Sequence, residues 1–127
     1  MDRDKLVQWI LRFAVAGEFA GHGAFALQGK EEWAEWFVQL KIADLSTAFN
    51  LLFLIGLLDM LVAIIVLVKP IRVALLWAAF WAFVTALVCP LVGEPIWDFV
   101  ERSANIGAPL ALLFFLGWPN NLREWVK

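Results

Sequence analysis

The constraint that dominates this chain is a set of four mostly apolar stretches, each about the 20 residues that a helix needs to cross the hydrocarbon core of a bilayer. They cover Leu6 to Gln28, Ser46 to Val68, Ile71 to Val92 and Pro95 to Trp118. Two of the boundaries carry their own punctuation. Ser46 or Thr47 can cap the start of the second stretch, and Lys69-Pro70 stops it. Pro95 suits a first helical position, where the missing N–H costs nothing. Pro109 falls inside the fourth stretch and predicts a kink there. Apolar residues make up 63% of the 127 positions, against about 45–50% in a soluble domain. One small core cannot hide that much apolar surface, so lipid must solvate the remainder. The expected fold is all-α: one domain, a four-transmembrane-helix bundle.

Between the first and second spans lies a segment that does not cross. Over residues 31–42, Trp33, Trp36, Phe37 and Leu40 recur at i, i+3, i+4 and i+7, while Glu31, Glu32, Glu35 and Gln39 fall mostly on the other side. This pattern predicts an amphipathic helix lying in the membrane interface. The minimal link between spans two and three predicts an antiparallel hairpin. Gly17 and Gly21 form a small-xxx-small pair, which predicts close approach of a neighbouring helix there.

Charge gives an orientation. Arg3, Lys5, Lys69, Arg72, Arg123 and Lys127 fall on one side. Lys30, Lys41 and Arg102 fall on the other, among many acidic residues. The positive-inside rule then puts both termini in the cytoplasm. The run after MDRDK carries Arg12, Glu18 and His22 without a small-x-small cleavage site, and reads as a retained span rather than a cleaved leader. A net charge of −2 with no cluster of Lys and Arg excludes a nucleic-acid partner. The lone cysteine, Cys89, excludes an intrachain disulfide and fits a small core residue.

Ionisable side chains at membrane depth are costly, so they turn inward and mark a site. Glu18 and His22 are spaced i, i+4 and share a face. They suit a proton-handling or ligand-binding pair, or else a structural pair that pins the first helix. By helical rise, Arg12 lies roughly 9 Å and Asp59 roughly 13 Å above the cytoplasmic ends of their spans. Those depths predict an Arg12–Asp59 ion pair. The alternative is that Arg12 snorkels to the headgroups and Asp59 is protonated. In the fourth span Asp98, Glu101 and Asn105 share a face, with Arg102 four residues after Asp98. Together with His22, Asn50, Thr85 and Cys89 they predict an acidic pocket open to the outer side, with Glu18 at its floor and Glu94 at its mouth. If the last helix begins near Ser103 instead, Asp98, Glu101 and Arg102 belong to a solvated loop. No phosphate loop, nucleophile elbow or dinucleotide fingerprint is present. One histidine cannot supply two axial haem ligands in a monomer, and no metal site is expected.

Two stretches, LRFAVAGEFAGHGAFAL from Leu11 to Leu27 and ERSANIGAPLALLFFLG from Glu101 to Gly117, resemble the first and last helices of DoxX-like membrane proteins. The four-span pattern with a long outer connection after the first helix is similar as well. The resemblance implies a bacterial inner-membrane protein linked to membrane redox chemistry, a family that includes the small subunit of a thiosulfate:quinone oxidoreductase. The matching positions are Arg12, His22, Glu101, Arg102 and Asn105. The chain departs from autonomous thiol or flavin chemistry in having no cysteine pair and no flavin motif.

Three functions compete. The first is binding of a small amphiphile such as a quinone, as part of a membrane redox system such as an oxidoreductase. Glu18 and His22 would handle protons, and Trp81, Phe80 or Phe19 would wall the ring. The second is a proton-coupled transporter or channel subunit. The third is a non-catalytic scaffold held to a protein partner or to further copies of itself.

Overall fold

The computed structural model describes residues 2–127. Helices α1 (Arg3–Leu27), α2 (Glu31–Gln39), α3 (Leu45–Val68), α4 (Arg72–Leu91), α5 (Ile96–Val100), α6 (Ser103–Leu116) and α7 (Leu122–Trp125) follow one another, with no strand among the described residues. Two starts are fixed by acidic caps. Asp2 accepts from the Lys5 amide at 2.8 Å, and Asp44 accepts from the Thr47 amide at 2.7 Å. The cap of α3 is therefore Asp44, two or three positions before the expected Ser46 or Thr47. Gly29 at φ +72° ends the first helical unit in the left-handed region that glycine tolerates.

Three segments are long and apolar enough to cross a membrane: Leu45–Val68, Arg72–Leu91 and Ile96–Leu116. α1 has the length, but Arg12, Glu18 and His22 dilute its apolar character. Large side chains such as Ile10, Phe13, Leu54, Leu61, Ile64, Phe80 and Phe114 stand exposed around the helices. A soluble surface does not tolerate an apolar belt of this extent. This is a helical membrane protein, and the belt is its lipid-facing surface.

The fourth expected span is not one unbroken helix. A turn at Glu101 and Arg102 separates α5 from α6, and α6 begins at Ser103. Pro109 is buried inside α6, which continues through it to Leu116.

The packing order differs from the hairpin expected of α3 and α4. α1 packs most extensively against α3 and also touches α6, α4 packs on α6, and α3 meets α4 only sparsely. The α1–α3 contact is tight because of two glycines other than the expected pair. A Cβ on Gly23 would meet the Gly56 carbonyl oxygen at 3.1 Å, and one on Gly56 would meet the Leu27 amide nitrogen at 2.9 Å. A Cβ on Gly17 or Gly21 would meet nothing from another helix within 4 Å. Val15, Phe19, Val66, Leu75, Leu112 and Leu113 form the main core, at the crossing of α1, α3, α4 and α6. A smaller cluster of Ala26, Ala34, Ala48 and Leu52, with Trp33, Phe37 and Phe49 against it, clamps α2 onto α1 and α3.

Candidate functional site

Where α3 and α4 fail to pack, a cavity of about 290 Å³ opens. α3 contributes Leu52, Ile55 and Asp59, α4 contributes Trp81, Val84, Thr85 and Val88, and α1 contributes His22 and Ala26. The amphipathic helix α2 closes one side with Trp33, Trp36 and Phe37, and Arg102 reaches in from the turn between α5 and α6. Ligand sites for small molecules run from about 300 to 1,000 Å³, so this space suits a ring-sized group rather than a large substrate.

The walls are aromatic because of helical spacing. Trp33, Trp36 and Phe37 share one face of α2, and that face points at the bundle. Trp33 packs on the His22 ring at 5.6 Å between centroids. Its face also takes the Lys30 ammonium at 4.6 Å from the ring centre. On the opposite wall Trp81 stacks on Trp77 at 5.4 Å with the planes 12° apart. The other two side chains expected to wall a ring do not reach it. Phe19 is locked in the main core, and Phe80 is exposed on the outer surface.

Among the described residues, two buried side-chain polar atoms have no hydrogen-bond partner, the Trp77 indole N–H and a carboxyl oxygen of Asp59, and only Asp59 is ionisable. It is 3% exposed, lines the cavity, and its Oδ1 has no hydrogen-bond partner. The expected ion pair with Arg12 does not form. Arg12 is 8% exposed and turns the other way. Its Nε donates to the Val66 carbonyl at 3.2 Å, and its Nη2 donates to the carbonyls of Leu67 and, at 2.9 Å, of Val68. The guanidinium also lies 3.8 Å from the centre of the Trp9 ring. The last carbonyls of a helix have no intrahelical donor, and a cation is favoured at that end. The end of α3 therefore offers Arg12 more than a carboxylate about two turns back along the helix can. Arg72 plays the matching part at α6, donating to the carbonyls of Leu116 at 2.6 Å and Gly117 at 2.7 Å.

The remaining expected site residues divide. His22 and Arg102 line the cavity. Glu18 is half-buried behind it, within electrostatic range of Asp59 and Arg102, but does not line it. No hydrogen bond joins Glu18 to His22 among the described residues; the close neighbour of His22 is Trp33. Asn105 is half-buried away from the cavity, and Glu101 is exposed on the turn. Thr85 lines the cavity, with its hydroxyl bonded back to the Ala82 carbonyl at 3.1 Å. The expected acidic pocket is thus an apolar, aromatic cavity with a single buried carboxyl in its wall. Sequence reasoning missed α2 as a wall. Its aromatic stripe was visible, but the period does not say whether lipid or the bundle takes that face.

The fold and the cavity define a class, a small all-helical membrane protein with a ring-sized internal site. Beyond that class, no family model, no curated protein and no solved structure matches this chain.

Proposed function

We propose that this chain is a DoxX-like protein of the bacterial inner membrane that binds a small flat amphiphile such as a quinone, as part of a membrane redox system. The observation that carries the reading is the aromatic cavity between α3 and α4, with His22 and Arg102 in its wall. A quinone ring presents two carbonyl acceptors. Imidazole N–H and guanidinium N–H are the donors that suit them. Glu18, behind His22, is the group that can exchange protons with it.

In this reading α1 is a fourth span and both termini face the cytoplasm. Two observations support that arrangement. At about 1.5 Å per residue, α1 with its 25 residues is about 37 Å long, enough to cross. The cationic ends also gather: Arg72 bonds the carbonyls of Glu124 and Lys127, and Arg12 bonds the end of α3 beside Lys69. One end of the bundle thus carries most of the basic residues.

The test is titration of purified protein in lipid nanodiscs with short-chain ubiquinone and menaquinone analogues, followed by quenching of tryptophan fluorescence. Saturable quenching that weakens several-fold in His22→Ala supports the reading. Absence of saturable binding across both quinone classes overturns it.

A further inference from the structure

The quinone reading uses the donors of the cavity wall and leaves its one buried carboxyl without a role. Asp59 is 97% buried, by difference from its 3% exposure, and its Oδ1 has no partner. An unpaired carboxyl at this depth is costly, and such groups are held for a counter-ion or a ligand. Two of the protein cations nearby are engaged elsewhere, and the third, Arg102, shares the cavity wall without bonding Oδ1. Arg12 is spent on the end of α3, and Lys30 sits over the rings of Trp33 and Phe25. His22 and Arg102 share the cavity, and Glu18 lies behind it. None of these groups supplies a hydrogen bond to Oδ1.

The cavity that Asp59 lines has four aromatic side chains in its wall, Trp33, Trp36, Phe37 and Trp81, among aliphatic ones. Tryptophan faces attract cations through the ring quadrupole, and several such faces around one space make an ammonium site. The Lys30 ammonium, 4.6 Å from the centre of the Trp33 ring, shows that this indole holds a cation, although Lys30 itself does not line the cavity. A buried carboxyl and an aromatic box call for the same chemical group.

We infer that the cavity is a site for hydrophobic organic cations, with Asp59 as counter-ion and Trp33, Trp36 and Trp81 as the aromatic box. The ligand class is a quaternary or protonated ammonium carrying a ring-sized apolar body. The inference goes beyond the quinone reading and stands without it, because it rests on Asp59 and not on the donors.

The experiment uses two isosteric probes that differ in charge, benzyltrimethylammonium and neopentylbenzene. Each is titrated into the full chain in zwitterionic nanodiscs, with tryptophan fluorescence as readout and empty nanodiscs as blank. The cation is expected to bind at least tenfold tighter than its neutral isostere once partitioning into lipid is subtracted. Asp59→Asn keeps the shape and removes the charge, and is expected to lose that tenfold preference while leaving the neutral probe unchanged. Arg102→Gln removes a competing cation from the wall and is expected to tighten binding of the charged probe. Equal binding of the two probes to the wild-type chain overturns the inference, and that comparison stands even if Asp59→Asn fails to fold. A charge preference that survives in a folded Asp59→Asn variant overturns it too. Quinone titration of the same samples separates the two ideas: quinone binding without a cation preference removes this inference alone, and the reverse result removes the quinone reading alone.

Discussion

The α1–α3 contact gives the sharpest test of the packing, because the chain holds two pairs of glycines with opposite predicted behaviour. At Gly56 an added Cβ would lie 2.9 Å from both the amide nitrogen and the Cγ of Leu27. At Gly23 it would lie 3.1 Å from the Gly56 carbonyl oxygen and 3.2 Å from the Asp59 Cβ. Carbon contacts are optimal at about 3.5–4.0 Å, so the methyl intrudes by about half an ångström or more at Gly56 and by a few tenths at Gly23. At each site one of the obstructing atoms is backbone, the Leu27 amide nitrogen or the Gly56 carbonyl oxygen, and cannot rotate away, so the helices must part. Overpacking of this kind costs about 1–3 kcal/mol, and Gly56→Ala belongs at the upper end. Gly17 and Gly21 have open space where the methyl would go. Alanine there removes a helix-propensity penalty of at most about 1 kcal/mol. The assay is unfolding from mild detergent by added sodium dodecyl sulfate, followed by tryptophan fluorescence and by far-ultraviolet circular dichroism. Gly56→Ala and Gly23→Ala should shift the midpoint to lower denaturant, whereas Gly17→Ala and Gly21→Ala should leave it or raise it. A loss at Gly17 or Gly21 with none at Gly56 would refute the packing order described above.

Three further outcomes follow from the same contacts. Arg12→Met removes three hydrogen bonds to the carbonyls of Val66, Leu67 and Val68. Bonds from charged donors contribute about 1.5–3 kcal/mol each, without simple additivity, so a loss of about 3 kcal/mol is expected. In a double-mutant cycle with Asp59→Asn the coupling should stay below about 0.5 kcal/mol, the level of independent sites; a large coupling would restore the ion pair. Arg72→Gln should release the C-terminal segment from α6, read as faster amide exchange and proteolysis after Gly117, because Arg72 bonds the carbonyls of Gly117, Glu124 and Lys127. At the start of α3, the hydrogen bond from the Thr47 backbone amide holds the Asp44 carboxyl below its ordinary value of 3.8. A depressed folded value means that the cap is fully effective above the ordinary value and is lost as pH falls through the lowered one. Exchange at the Thr47 amide should therefore accelerate in that acidic window, and Asp44→Ala should abolish the dependence.

The sequence alone determined the helices and their solvent. Twenty-residue apolar runs leave no alternative to helix in lipid, since every backbone polar group must be satisfied within the segment. The amphipathic period of α2, the cost of charge at membrane depth, and hence the inward placement of His22, Arg12 and Asp59, were legible for the same reason. Partnership was not legible. Depth arithmetic placed Arg12 and Asp59 at similar heights, but the orphan carbonyls of α3 compete for the same guanidinium, and only the crossing of α1 over α3 decides between them. The small-residue spacing at Gly17 and Gly21 was a true local pattern on the wrong face; Gly23 and Gly56 carry the contact because they lie where the two backbones meet. Tertiary structure alone decided that the short link between α3 and α4 leaves a gap rather than a seam, and that α2 folds over it. A pattern along one helix reports which side is apolar, and cannot report whether lipid or another helix will cover it.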